Sequence, residues 1–265
     1  MNTWIKKSIE LANSNGYLDK LSNVYPVNIG VGREINQKKR KDIEVAFKNK
    51  NKKELILTLL ELERFPFDDP YVGFIRKDPK ALDKNPATTK RISERLFRTG
   101  LEGIIDGSLR PSSSSRQMGQ MFQKWLYKLN YPILKPDNFL TTKSQVAILA
   151  GGDKALKEFA HKKLGYKGPK GLDLVFKVGD KFVIGEAKFI STSGGTQDKS
   201  FRETINFIKK KDKKTIRIAV IDGVVWLSAN KAARKAKNLY QTVRNLSNNQ
   251  IALSSLLLND FLKSF

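Results

Sequence analysis

Near residue 170 the apolar pattern of this chain changes period, and that change limits the folds open to it. Upstream, apolar residues recur at helical spacing; from 170 onward they follow strand spacing. Leu172–Val178 and Lys181–Phe189 read as strands joined by the two-residue turn Gly179-Asp180. A helix follows from Thr196 to about Lys210, then a strand at Thr215–Ile221, a turn at Asp222-Gly223 and a strand at Val224–Ser228. Helices before this block are expected over 1–21, twice within 34–64, at Thr88–Ile105, Arg116–Leu129 and Asp153–Leu164. The stretch from Phe65 to Pro70, with prolines at 79 and 86, reads as irregular, and the tail from 230 as mostly helical. The expected architecture is a mixed α/β fold: a central mixed β-sheet flanked by helices, carrying a mostly helical N-terminal half. Residues 107–115, GSLRPSSSS, are the most linker-like segment and suggest two parts, 1–110 and 111–265.

The hairpin carries the chemistry. Counting back from its turn, Val178 faces Lys181 and Asp173 falls opposite Glu186. Such neighbours hold their Cβ atoms about 4.5–5.5 Å apart on one face. Lys188 lies on that face too, one pleat beyond Glu186. Both faces of this strand are apolar, so it should be interior. Buried like charges directly opposite each other are unfavourable. A divalent cation between the carboxylates relieves the conflict, and oxygen ligands of this kind suit magnesium. The cation would polarise a water and a phosphate, with Lys188 orienting the water or neutralising developing charge. That arrangement suits phosphodiester hydrolysis. The spacing acid-x-lysine occurs three times, at Asp78, Glu186 and Asp212. Only the Glu186 instance sits in a strand with an acid across a hairpin. The plainer alternative is a Glu–Lys pair at a strand end, with Asp173 solvated.

Charge supports the polyanion reading. The chain has 50 Lys+Arg against 26 Asp+Glu, a net charge of +24. Such a surface attracts nucleic acid. There are no cysteines and one histidine, His161, which excludes a thiolate or multi-histidine zinc site and argues against a histidine triad. His161 itself reads as a surface or packing residue. The N-terminus lacks a signal-peptide apolar core, and no apolar run approaches the ~20 residues that span a bilayer. A soluble cytoplasmic protein is expected, with no membrane partner.

Pro169-Lys170-Gly171-Leu172-Asp173 followed by Gly185-Glu186-Ala187-Lys188 resembles the PD-(D/E)XK nuclease superfamily. Ser193-Gly194-Gly195-Thr196-Gln197 and its helix resemble type II restriction endonucleases in particular. The proline stands four residues before the aspartate, a departure at a variable position. The resemblance implies that Asp173 and Glu186 bind Mg2+ and that Lys188 assists the water. Its substrate would be double-stranded DNA, cut at specific sites, most simply by a homodimer. It also implies a cognate DNA methyltransferase that protects host DNA. Enzymes of this core can carry an extra acid on the preceding helix, here Glu158, which also reads as a solvated helix-face residue. Mostly helical N-terminal sequence would wrap or help read the DNA.

DNA contacts are expected from the loop leaving the active strand and from the helix after it: Ser191, Ser193, Gly194, Gly195, Thr196, Gln197, Lys199 and Arg202. The glycines allow close backbone approach, Thr196 can cap the helix, and Gln, Lys or Arg can read base edges or grip phosphate. The same loop also reads as an ordinary connection. Arg116 and Gln117 form a second candidate reading pair. The lysine run 209–214 is a non-specific phosphate-contacting or solvated patch. Two rival functions remain open at this stage: a structure-specific repair or recombination nuclease, and a non-catalytic basic nucleic-acid-binding protein.

Overall fold

The computed structural model describes residues 2–26, 34–110, 114–212, 214–227 and 234–265. The chain forms two compact units: Met1–Val27 with Ser114–Phe265, and Asn28–Ser113. The first 26 residues therefore belong with the C-terminal sheet rather than with the helices that follow them.

In the sheet-bearing unit, α1 (Thr3–Ala12) and α2 (Tyr17–Val24) come first. Asn2 caps α1 by accepting from Trp4 N–H, and Gly16 enters α2 with a left-handed φ of 73°. The helical unit holds α3 (Gln37–Lys48), α4 (Lys52–Leu60), α5 (Val72–Lys77), α6 (Ala81–Lys84) and α7 (Pro86–Leu109). The region expected to be irregular contains two short helices, and Pro86 starts α7 instead of breaking a helix. Proline at the first helical position lacks only an N–H that has no intrahelical partner there. Ile43, Leu55, Ile56, Leu59, Ile92 and Leu96 build the core of this unit.

The remaining elements are α8 (Ser114–Leu126), β1 (Ile133–Leu134), α9 (Pro136–Thr141), β2 (Val146–Leu149), α10 (Asp153–Phe159), β3 (Leu174–Val178) and β4 (Lys181–Ile190). Then follow α11 (Gly195–Lys209), β5 (Thr215–Gly223), α12 (Arg234–Arg244), β6 (Ile251–Leu253) and α13 (Leu258–Lys263). Six strands form one mixed sheet in chain order. β2, β3 and β4 are antiparallel neighbours, whereas β1–β2, β4–β5 and β5–β6 are parallel pairs. The mixed sheet flanked by helices is as expected. The hairpin register is too: Val178 pairs with Lys181 and Leu174 with Gly185. Gly179 has φ 56°, the sign that a two-residue turn asks of its first residue.

Alternation along β4 sorts the helical layers. Phe182 and Glu186 share a face. Phe139 of α9 lies against Phe182 and against Phe159 of α10, and Thr204 of α11 bonds Glu186. Phe189, on the opposite face, meets Tyr25 at the end of α2, with α8 packed alongside β4.

Three expectations are corrected. No element was assigned between Leu129 and Asp153, where β1, α9 and the fully buried β2 lie. The tail holds β6 as well as helices. Asp222-Gly223 is not a turn before another strand: both residues extend β5, paired with Phe189 and Ile190, and Val224–Trp226 is a 3-10 turn. Asp222 stays extended because its carboxylate is fully buried and takes hydrogen bonds from Tyr25, Ser254 and Ser255. A side chain at Gly223 would strike the Ile190 carbonyl at 2.1 Å. Among the described residues no helix is long and apolar enough to cross a membrane.

Candidate active site

Asp173 lies just before β3 and continues its pairing, donating its N–H to Gly185 O at 2.9 Å. Gln123 of α8 donates to the Asp173 carbonyl. The carboxylate turns onto β4: Oδ2 accepts from Ala187 N–H at 2.8 Å and from Lys188 Nζ at 3.0 Å. Backbone on both sides of Asp173 is thereby tied to neighbouring elements. The ion pair is half-buried, with side-chain exposures of 26% and 30%, so solvent screens it incompletely.

Glu186 is 2% exposed. Its Oε2 accepts from Thr204 Oγ1 at 2.9 Å and from Lys170 Nζ at 3.4 Å, whereas Oε1 has no hydrogen-bond partner among the described residues. A buried carboxylate oxygen without a partner is costly, and such exceptions call for an additional ligand or a functional role. Lys170 also holds Glu203 Oε2 at 2.7 Å. Burial alone would lower the Lys170 ammonium, but the hydrogen bond to Glu203 and the field of Glu186 outweigh it and hold it above the usual lysine value. The Lys170 hydrogen bond in turn holds the Glu203 carboxyl below its usual value, with help from Lys199 and Lys188.

Asp173 and Lys188 therefore meet directly, and Glu186 adjoins them through the peptide that donates Ala187 N–H. The lysine that touches Glu186 is Lys170. Neither Lys170 nor Glu203 stood out in the sequence, where Lys170 is one of many lysines and Glu203 reads as a helix-face acid. The signal available was position: Lys170 stands three residues before Asp173, and Glu203 lies on the helix packed over β4.

Two cavities open on this cluster. One, of about 230 Å³, is lined by Tyr25, Met118, Asp173, Lys188, Thr196 and Gln197. The other, of about 260 Å³, is lined by Lys170, Glu186, Glu203 and Asn206. Among the described residues, no group of three or more His, Cys, Asp or Glu side chains is placed to hold a metal ion. A two-carboxylate site completed by water and phosphate oxygens is nonetheless how magnesium is commonly held. The unpartnered Glu186 Oε1 fits such a ligand.

The other candidates separate. Glu158 is exposed on α10, and no hydrogen bond or ion pair among the described residues joins it to Asp173, Glu186 or Lys188. His161 packs edge-on to Tyr166 and bonds Gly168 O at 2.9 Å, the packing role expected of it. Gln197 folds back over its own loop: Oε1 accepts from Ser191 N–H at 3.0 Å and Thr192 N–H at 3.2 Å, and Nε2 donates to Ser191 Oγ at 3.0 Å. Thr196 does not cap α11. It lies inside the first turn, and Asp198 Oδ1 instead reaches back to Gly194 N–H at 2.8 Å. Gly194, with φ 132°, brings the chain in where a side chain would be strained. Ser193 is half-buried, while Ser191, Gly195, Thr196, Lys199 and Arg202 are exposed, and of these Thr196 lines the first cavity. Gln117 is half-buried on α8, and the Arg116 side chain lies outside the described residues.

Comparison with known protein families gave a match. A model of the Tsp45I type II restriction enzyme family matches residues 2–265. Neither the curated proteins nor the solved structures gave a match. With nearly its whole length matched, the chain belongs to the Tsp45I type II restriction enzyme family and is a site-specific deoxyribonuclease.

Proposed function

We propose that this endonuclease cuts double-stranded DNA at Asp173, Glu186 and Lys188, with Mg2+ as its cofactor, as a member of the PD-(D/E)XK superfamily. The observation that carries the reading is the Asp173–Lys188 ion pair across the hairpin, beside a buried Glu186 with one unpartnered oxygen. Asp173 and Glu186 would hold the cation, which supplies positive charge at the scissile phosphate. Lys188, oriented by Asp173 Oδ2, holds the attacking water by hydrogen bonding and donates to the phosphate oxygens as charge builds on them. Thr204 of α11 fixes one oxygen of the Glu186 carboxylate, Oε2, and leaves Oε1 for the cation. Water adds to phosphorus and one P–O ester bond breaks; the water's proton is released to solvent and the departing oxygen takes one up from solvent.

Further parts of the reading come from the type of enzyme. The helical unit helps read the DNA, together with Arg116, Gln117 and the 191–202 segment. Two copies cut opposite strands as a homodimer. A cognate methyltransferase protects host DNA in the same cytoplasm.

The test is cleavage of phage DNA by the purified protein with and without Mg2+, beside Lys188→Ala, Asp173→Asn and Glu186→Gln. Discrete fragments that need the cation and fall at least a hundredfold in each variant are expected. Wild-type cleavage by Lys188→Ala would place the active site elsewhere.

A further inference from the structure

Beyond the catalytic cluster, one groove of the sheet-bearing unit gathers positive charge with little to balance it. Its volume is about 850 Å³. Lys162 and Lys163 enter it from the π-turn Ala160–Leu164, Lys167 from the following loop, and Lys210, Lys211 and Lys214 from the connection between α11 and β5. All six are exposed, and none joins an ion pair among the described residues. Asp212 is the one acid in the groove wall, and it is already neutralised. Arg217 grips it with Nε at 2.6 Å and Nη2 at 2.8 Å, and its guanidinium is itself fixed over the Tyr166 and Phe207 rings, 5.0 Å from each centroid. Burial would raise the Asp212 carboxyl, but the Arg217 and Thr215 hydrogen bonds outweigh it and hold it low, so it stays ionised and paired.

Six like charges around one groove repel each other, and no acid of the described chain offsets them. The groove shares Gly168, Lys210 and Arg217 with the cavity that Glu186 lines. It therefore leads away from the cluster assigned to catalysis.

We propose that this lysine groove binds the phosphate backbone of the DNA that flanks the cut, without regard to sequence. The position of the groove relative to the cut rests on the active-site reading above; its affinity for DNA does not. Lysines on flexible stems make point-charge contacts suited to phosphates and carry little base information. An anionic membrane is the other polyanion such a surface could meet. Among the described residues the exposed large apolar side chains are Leu18, Val45, Tyr71, Phe74, Tyr127, Ile133 and Phe265, and none of them lines the groove, which argues against a bilayer-binding face.

The experiment measures binding of a labelled non-cognate duplex to full-length protein in EDTA, by fluorescence anisotropy across a salt series. Lys162→Ser/Lys163→Ser/Lys211→Ser is compared with wild type and with a charge-matched triple outside the groove, Lys6→Ser/Lys20→Ser/Lys143→Ser. Each phosphate contact contributes about 0.9 to the slope of log K against log salt. The groove variant should lose about 2–3 from that slope and bind about 10–100-fold more weakly near 0.1 M salt, equally on duplexes of unrelated sequence. Circular dichroism melts of all three proteins establish that they are folded. An unchanged slope, or equal losses in both triples, would overturn the proposal. Binding of the same three proteins to phosphatidylserine vesicles is measured beside the duplex, and a loss confined to the vesicles would overturn the proposal and assign the groove to membrane. Normal cleavage by Lys188→Ala with the slope effect intact would move the active site and leave the groove standing.

Discussion

Replacing Asp222 by alanine removes the carboxylate that ties distant parts of the chain together beside β4. Asp222 has no exposed surface. It accepts from Tyr25 Oη at 2.8 Å, Ser254 Oγ at 2.6 Å and Ser255 N–H at 3.2 Å, and the Tyr25 ring packs edge-on to Phe189 at 5.0 Å. Tyr25 also lines the cavity shared by Asp173 and Lys188, so this anchor holds one wall of the candidate site. Alanine leaves these three buried donors unsatisfied, at about 1–3 kcal/mol each, and also removes the longer 3.5 Å bond from Tyr17 Oη. Part is regained because a buried carboxyl is itself unfavourable, which leaves a net loss of about 3 kcal/mol. For a unit of this size that corresponds to a fall in Tm of roughly 6–12 °C by calorimetry. A fall under about 2 °C would refute the reasoning. The pH dependence has a definite sign. Burial raises the Asp222 carboxyl above its usual 3.8, so the native state holds the proton more tightly than the unfolded chain. Its contribution is complete below the unfolded value and is lost as pH rises through the folded one. Wild type should therefore lose ground to Asp222→Asn, which does not titrate, as pH is raised from about 3.8. A wild-type advantage that grows with pH would contradict this assignment.

Gly185→Ala should destabilise by about 2–3 kcal/mol in urea unfolding and reduce cleavage. Its Cβ would lie 2.8 Å from Leu174 Cδ1 and 3.0 Å from the Ile218 carbonyl, and backbone has little freedom to yield beside the Asp173 pairing. Lys170→Met strips Glu186 of its cation. Because the Lys170 side chain is 38% exposed, the loss should be only about 1 kcal/mol, seen as a lower Tm in EDTA and recovered on adding Mg2+. Absence of that recovery would count against a cation at Glu186.

The hairpin register of the candidate site could be read from local pattern. Strand alternation and a two-residue turn are local rules, so the Asp173–Glu186–Lys188 register followed from counting alone, and Leu174 does pair with Gly185. Family membership then decides for sequence-specific restriction over the repair-nuclease and pure-binding alternatives. Other parts had no local signature. β1 and β6 are strands of two and three residues that exist because a neighbour offers a free edge. Asp222-Gly223 carries the composition of a turn, yet Tyr25, Ser254 and Ser255 converge on it from residues far away in the chain and hold it in the sheet.

From its sequence alone this protein determined its period change, its hairpin, the acid-x-lysine strand and a strongly positive surface. All of these depend on residue type and near-neighbour spacing, where chain geometry leaves few choices. Only the tertiary structure decided that Glu186 is sealed under Thr204, that its lysine is Lys170, and that six lysines from three segments line one groove. Those are meetings between positions far apart in the chain or on different elements, and the packing of helices onto the sheet sets them.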